Sequence, residues 1–137
     1  MANQLKLEIV TPEAKIYSED VDMVTLPGVE GEMGIYPMHV PLLTQVAAGE
    51  VVALKGGQDF HLAVGEGFVQ VTGDRVAIMT DMAIKAEDID ENKAEEARKR
   101  AEARLSEKLS DEEMASVNAA LINSLAQLRV KRRGRNI

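Results

Sequence analysis

Few residues in this chain have the types and spacing that chemistry needs. His39 and His61, the only two histidines, lie 22 positions apart. One falls in a Gly/Pro-rich stretch and the other in a strand-like run, without carboxylates at metal-ligand spacing, so no metal site is expected. The chain has no cysteine, which excludes disulfides, thiolate metal ligands and cysteine nucleophiles. It contains no phosphate-loop, H-E-x-x-H or G-x-S-x-G motif. Gly65-Glu66-Gly67 lacks a third glycine at dinucleotide-loop spacing and reads as a hairpin or bulge turn. Asp88, Asp90 and Glu91 form an acidic cluster that reads as helix capping. His39, between Met38 and Val40, is expected to brace its loop or contact a partner, and His61 to sit on a sheet face.

Charge narrows the partners. Residues 1–84 carry twelve acidic and four basic side chains, whereas residues 129–137 carry five basic and none acidic. An acidic body argues against nucleic-acid binding. Aromatic residues make up 3% and there is no Trp, so no base-stacking platform is expected. The basic end suits an acidic protein, an anionic membrane or nucleic acid. No apolar run is long enough for a transmembrane helix. The N-terminal residues MANQLKLEIV show no secretory signal pattern. At 137 residues the chain is long enough for one domain with a core, plus an appendage.

The elements that must position these residues are legible up to a point. Leu5, Leu7 and Ile9 alternate with Lys6 and Glu8, which is the period of a half-buried strand. Further strands are expected at Lys15–Ser18, Val21–Leu26, Leu42–Val46, Val51–Leu54, Phe60–Val64, Phe68–Val71 and Arg75–Met79. Gly-rich turns between them indicate an antiparallel β-sandwich or barrel, with about eight to ten strands from residue 3 to residue 84. Between the third and fourth of these runs lies PGVEGEMGIYPMHVPL, residues 27–42, which reads as a long ordered loop with little regular structure. Its apolar members Met33, Ile35, Tyr36, Met38, Val40 and Leu42 mark it as a shaped surface.

From Glu87 to Val130 there is neither Gly nor Pro, and Ala, Glu, Lys and Arg dominate. Asp88 followed by Glu91 reads as a capping box opening a helix over about 88–107. Ala94, Ala97, Ala101 and Leu105 give it a narrow apolar face, with i,i+4 pairs Glu95–Lys99 and Glu96–Arg100. Ser110 followed by Glu113 opens a second helix over about 111–130, with a stripe of Met114, Val117, Leu121, Leu125 and Leu128 and a stop at Gly134. Ala-rich faces bury little area, so this αα-hairpin is expected to be thinly packed and able to rearrange. The fold class is therefore α+β: an N-terminal antiparallel β-sandwich over residues 1–86, followed by a two-helix antiparallel hairpin with a basic tail over 87–137.

Gly28, Gly31, Glu32 and Gly34, followed by Pro37, His39, Pro41 and Leu42, resemble the signature of the epsilon subunit of bacterial F-type ATP synthases. Gly49, the glycine-flanked run Gly65, Gly67, Phe68, Val69 and Val71, and the closing Leu125-Ala126-Gln127-Leu128-Arg129-Val130 extend the resemblance over the whole chain. The resemblance implies a non-catalytic rotor subunit of the proton-translocating synthase, with a sandwich of about ten strands. It would join the gamma subunit to the membrane-embedded c-ring during ATP synthesis, peripherally on the cytoplasmic face of the bacterial plasma membrane. Membrane contact would come only through the complex. The positions matching the family's c-ring contact are Glu32, Met33, Gly34, Ile35, Tyr36, Met38 and His39. The C-terminal helices would extend to inhibit ATP hydrolysis, with Arg129, Lys131, Arg132 and Arg133 meeting acidic segments of the catalytic alpha and beta subunits. Some members bind regulatory ATP through a motif matched here by Ile89, Asp90, Lys93 and Ala94. Lys93 stands where that motif has Arg, which keeps the charge and loses the planar fork. No cofactor is otherwise implied. The alternative from the elements alone is a sandwich interaction module with a helical oligomerisation tail; a small sandwich enzyme is a third.

Overall fold

The structure, a computed structural model, describes residues 4–135. Ten strands precede two helices. The strands are β1 (Leu5–Val10), β2 (Lys15–Val21), β3 (Met23–Gly28), β4 (Gly31–Ile35), β5 (Leu42–Val46), β6 (Gly49–Lys55), β7 (Gln58–Val64), β8 (Gly67–Thr72), β9 (Arg75–Thr80) and β10 (Ala83–Lys85). A 3-10 turn (Ala86–Asp88) leads into α1 (Glu91–Leu105) and α2 (Asp111–Arg135).

Alternation decides which faces meet. Leu5, Leu7 and Ile9 of β1 are fully buried, as are Val69 and Val71 of β8 and Val76 and Ile78 of β9. They pack against Val24, Leu26, Val51, Ala53, Leu62 and Val64 in one core. The strand order is β10-β7-β6-β3-β5-β8-β9-β1-β2, with β4 paired to β3. One layer, β10-β7-β6-β3-β4, joins the other, β5-β8-β9-β1-β2, through the single pair Gly28–Val46. The pairing is antiparallel except between β1 and β9, which run parallel with Leu7 opposite Val76.

Two expectations about this region change. Residues 27–42 are not one long loop: Gly31–Ile35 pairs with β3 from Val24–Ile35 to Gly28–Gly31, forming a tight hairpin. Its glycines make it possible. A Cβ on Gly28 would lie 2.6 Å from the Gly31 carbonyl oxygen, and Gly31 has φ +128°. The remaining loop is Tyr36–Pro41. Strand β10 is a second element absent from the sequence reading. The chain between β9 and the helices is therefore pinned to β7 through Ala83–Val64 and Lys85–Leu62.

The helices also differ in detail. The N-cap of α1 is Asp90, whose carboxylate accepts the Lys93 backbone N–H at 3.1 Å, rather than Asp88. Ile89, between them, is buried and sets that frame. Arg98 pairs with Glu95 and Glu102 among the described residues, in place of the expected Glu95–Lys99 and Glu96–Arg100 pairs. For α2 the capping box holds. The Ser110 hydroxyl accepts the Glu113 N–H at 3.2 Å, and Glu113 accepts the Ser110 N–H at 3.3 Å. α2 runs through Gly134 to Arg135 instead of stopping there, and Leu125 leaves the expected stripe, being 43% exposed. Ala94 and Ala101 of α1, and Val117, Ser124, Ala126, Leu128 and Val130 of α2, are buried. The hairpin lies against the sandwich, with α2 touching α1, β6, β7 and the 3-10 turn.

Candidate functional site

Two surfaces stand out, at the β3–β4 hairpin with its following loop, and at the seam between α2 and the sandwich. In β4, Glu32 and Gly34 are exposed while Met33 packs on the core and Ile35 is 1% exposed within it. Ile35 thus supports the surface from beneath and does not present its side chain. Beyond it the loop turns its apolar groups outward: Tyr36, Met38 (73% exposed) and Val40. Met38 adopts φ 65°, a left-handed conformation that a non-glycine residue holds only with support. Its N–H donates to Asp74 Oδ1 at 3.2 Å, from the β8–β9 turn. His39 is half-buried, with Nδ1 2.6 Å from the Val40 carbonyl oxygen. It braces the loop.

Sequence reasoning missed a neighbouring surface. Leu43 (67% exposed), Phe68 (50% exposed) and Met79 lie on the outer face of β5, β8 and β9. The register places Phe68 between Gln45 and Met79, and Gln70 opposite Leu43, so these residues share one face. The signal was present: Leu43 and Phe68 are out of phase with the buried Val46, Val69 and Val71.

At the seam, Ala63 of β7, Ile89 and Val130 of α2 form a second apolar cluster, flanked by Met82, Ile84 and Ala86. The basic end of α2 is engaged within the chain. Arg132 donates to Glu91 and Glu95, both at 2.9 Å. Lys131 Nζ donates to the Ala86 carbonyl at 3.2 Å, and Arg133 Nη1 to Glu50 Oε1 at 2.6 Å. Arg129 lines a groove of about 340 Å³ with Arg133, Glu32, Glu50 and Asp59. Hydrogen bonds from Arg98 hold the Glu95 carboxyl below its usual range, with burial opposing and Arg132 assisting. The carboxylates of Glu91 and then Glu95 in turn raise the Arg132 guanidinium.

The residues matching the nucleotide motif gather at the start of α1. Ile89 and Ala94 are buried, Asp90 spends an oxygen on capping, and Lys93 is exposed. The two histidines have separate partners, and among the described residues no group of three His, Asp or Glu side chains is placed to hold a metal. No helix among them is long and apolar enough to cross a membrane.

Comparison with known proteins agrees with both halves. Residues 4–86 match the model of the ATP synthase delta/epsilon chain β-sandwich domain, and residues 87–132 match that of the long α-helix domain. The ATP synthase epsilon chain of Dehalococcoides mccartyi is 44% identical over 133 residues, covering 96% of this chain and 95% of that one. The epsilon chain of Herpetosiphon aurantiacus is 42% identical over 132 residues, covering 96% and 97%. Among solved structures, a chain of the Euglena gracilis mitochondrial ATP synthase (OSCP/F1/c-ring) superposes with a TM-score of 0.73 at 27% identity. That match covers 92% of this chain and 79% of that one. A chain of the Tetrahymena thermophila central stalk and c-ring shares the fold, at a TM-score of 0.60 and 12% identity over 98% of each. With its sandwich, helical pair and relatives in agreement, this chain belongs to the ATP synthase epsilon-chain family, whose members are structural, non-catalytic subunits of the central stalk.

Proposed function

We propose that this chain couples the gamma subunit to the c-ring during ATP synthesis and restrains ATP hydrolysis through its C-terminal helices. The observation that carries this reading is the pairing of outward apolar groups on the sandwich with a hairpin whose basic end is held, among the described residues, by exchangeable polar contacts and a small apolar cluster. Monomeric proteins rarely expose contiguous apolar area without a partner for it. The outer face bearing Leu43, Phe68 and Met79 suits the gamma subunit. The Glu32 strand and the loop bearing Tyr36, Met38 and His39 suit the polar loops of the ring. Residues 1–86 act as this docking unit and 87–137 as the regulatory unit. When the hairpin extends, Lys131, Arg132 and Arg133 exchange their partners in this chain, and Arg129 leaves its groove, to meet acidic segments of the catalytic alpha and beta subunits. The chain then works peripherally on the cytoplasmic face of the bacterial membrane.

Two measurements test this. A tagged chain should retrieve a gamma subunit and a c-ring from solubilised membranes, and deleting residues 88–137 should raise ATP hydrolysis by the assembled synthase. Retrieval of neither partner, with hydrolysis unchanged, refutes the reading. Regulatory ATP at Ile89, Asp90, Lys93 and Ala94 is part of the same proposal. ATP that binds only the docked hairpin stabilises it and relieves inhibition. An ATP titration should move the amide signals of Asp90 and Lys93, and Lys93→Arg should tighten binding by restoring a forked donor. Unmoved signals in both proteins refute ATP sensing.

A further inference from the structure

Glu50 sits where an acidic side chain needs a reason. It is the second residue of β6, its side chain is 10% exposed, and it points to the face that α2 covers. Pairing places Glu50 opposite Ala63, while His61 lies two residues from Ala63 along β7, so the three share that face. A carboxylate this covered must be matched by donors. It has one on each oxygen: His61 Nδ1–H at 3.0 Å on Oε2, and Arg133 Nη1 at 2.6 Å on Oε1. His61 belongs to the sandwich and stays with Glu50 whatever the hairpin does. Arg133 arrives from 83 residues away and leaves with the hairpin. It lies three residues beyond Val130, so the ion pair and the Ala63–Ile89–Val130 cluster hold the same end of α2. Neither Glu50 nor His61 belongs to the motifs that carry the family resemblance.

We propose that Glu50, with His61 positioning its carboxylate, is an intramolecular receptor for the Arg133 guanidinium that sets how readily the hairpin leaves the sandwich. The proposal rests on the reading of the hairpin as a releasable inhibitor. Glu50 occupies the same guanidinium that an acidic segment of a catalytic subunit would need, so the two carboxylates compete. A competitor in cis lowers the affinity of the partner in trans by the fraction of time it is engaged. The orientation matters. With Oε2 held by His61, Oε1 is left facing Arg133, and a guanidinium bond to a fixed carboxylate is stronger and more directional than one to a mobile side chain.

The native chain has no cysteine, so labels can be placed cleanly. Spin labels at Gln70→Cys and Asn118→Cys, both exposed, report docked and released populations of the full chain by pulsed dipolar spectroscopy. Glu50→Gln should raise the released-to-docked ratio about fivefold, the scale of a partly exposed ion pair. Arg133→Gln should match it, and the double variant should add nothing further. His61→Ala should release the hairpin partially, and His61→Gln, which keeps a donor, should restore docking. An unchanged ratio in Glu50→Gln, or additive effects of Glu50→Gln and Arg133→Gln, overturns the proposal. Glu50→Gln, which keeps the Arg133 guanidinium, separates the two readings in reconstituted synthase. Release without stronger inhibition of hydrolysis keeps Glu50 as the receptor and refutes the inhibitory role of the helices. No release refutes the receptor.

Discussion

Val130→Ala should free the hairpin while leaving the sandwich intact. Val130 is 2% exposed and packs with Ala63 and Ile89 in a cluster separate from the main core. The substitution removes two buried methyl groups, worth about 1.6 kcal/mol at roughly 0.8 kcal/mol each, before any term for the cavity left behind. Because this cluster joins α2 to β7, the loss falls on docking, and 1.4 kcal/mol is a factor of ten. The released-to-docked ratio should therefore rise about fifteenfold. Native-state hydrogen exchange reads this directly: α2 amides should lose protection by that factor, while amides of β1, β8 and β9 should not. Leu125→Ala is the control. Leu125 is 43% exposed, so its truncation should change docking by less than about twofold. In assembled synthase the two should diverge, Val130→Ala deepening inhibition and Leu125→Ala weakening it if the extended helix buries Leu125. Unchanged α2 protection in Val130→Ala, or an equal loss in Leu125→Ala, refutes the claim that this cluster holds the hairpin down.

Other expectations concern the sandwich. Glu8 is hydrogen-bonded to Lys15 at 3.0 Å and paired with Arg75, and its carboxyl lies below the ordinary 4.5, with burial opposing. A lowered folded pKa means that its stabilisation is full above the unfolded value and lost as pH falls through the folded one. Urea unfolding should therefore weaken below about pH 4.5 more in the native chain than in Glu8→Gln; equal slopes would count against it. Gly67→Ala should cost about 1–3 kcal/mol in the same assay. Its Cβ would lie 1.9 Å from the Met79 carbonyl oxygen, in backbone that cannot move without breaking the Gly67–Thr80 pair. A change under about 0.5 kcal/mol would show that the strands yield. Asp74→Ala should speed exchange of the Met38 amide severalfold and loosen the Tyr36–Pro41 loop, without altering the melting of the sandwich by more than a surface substitution does. An unmoved Met38 amide would leave the loop braced by other means.

Where one face of an element is buried, the sequence was readable. Leu5, Leu7 and Ile9 announce β1, and Phe68–Val71 announces β8, because burial on one side imposes a period of two. β4 hid because Gly31-Glu32-Met33-Gly34-Ile35 carries two glycines and pairs only with β3, leaving little of it to alternate. β10 has three residues, too few to display a period. In α2 a single stripe was the wrong template, since the helix packs on α1 along one side and on β6 and β7 along another. Ser124 is consequently buried and Leu125 exposed. The apolar residues of the 27–42 stretch were legible as a surface in so far as Tyr36, Met38 and Val40 are exposed, whereas Ile35 faces inward. The Glu50–His61–Arg133 cluster was not, because no local pattern links positions 50 and 133.

The parallel pairing of β1 with β9 has a consequence for how the chain is made. A parallel pair needs a crossover between its strands, and here the crossover is everything from β2 to β8. During synthesis β1 must wait beside β2 until residue 80 has been added before its second edge is covered. Until then β1 and β2 lack the strand that joins them to β8 and β5 in their own layer, and such non-local closure is slow. Once β9 arrives, the layers seal, and Glu50, His61 and Ala63 stand ready before Val130 and Arg133 exist. The order of translation therefore delivers the hairpin last, onto a platform already built.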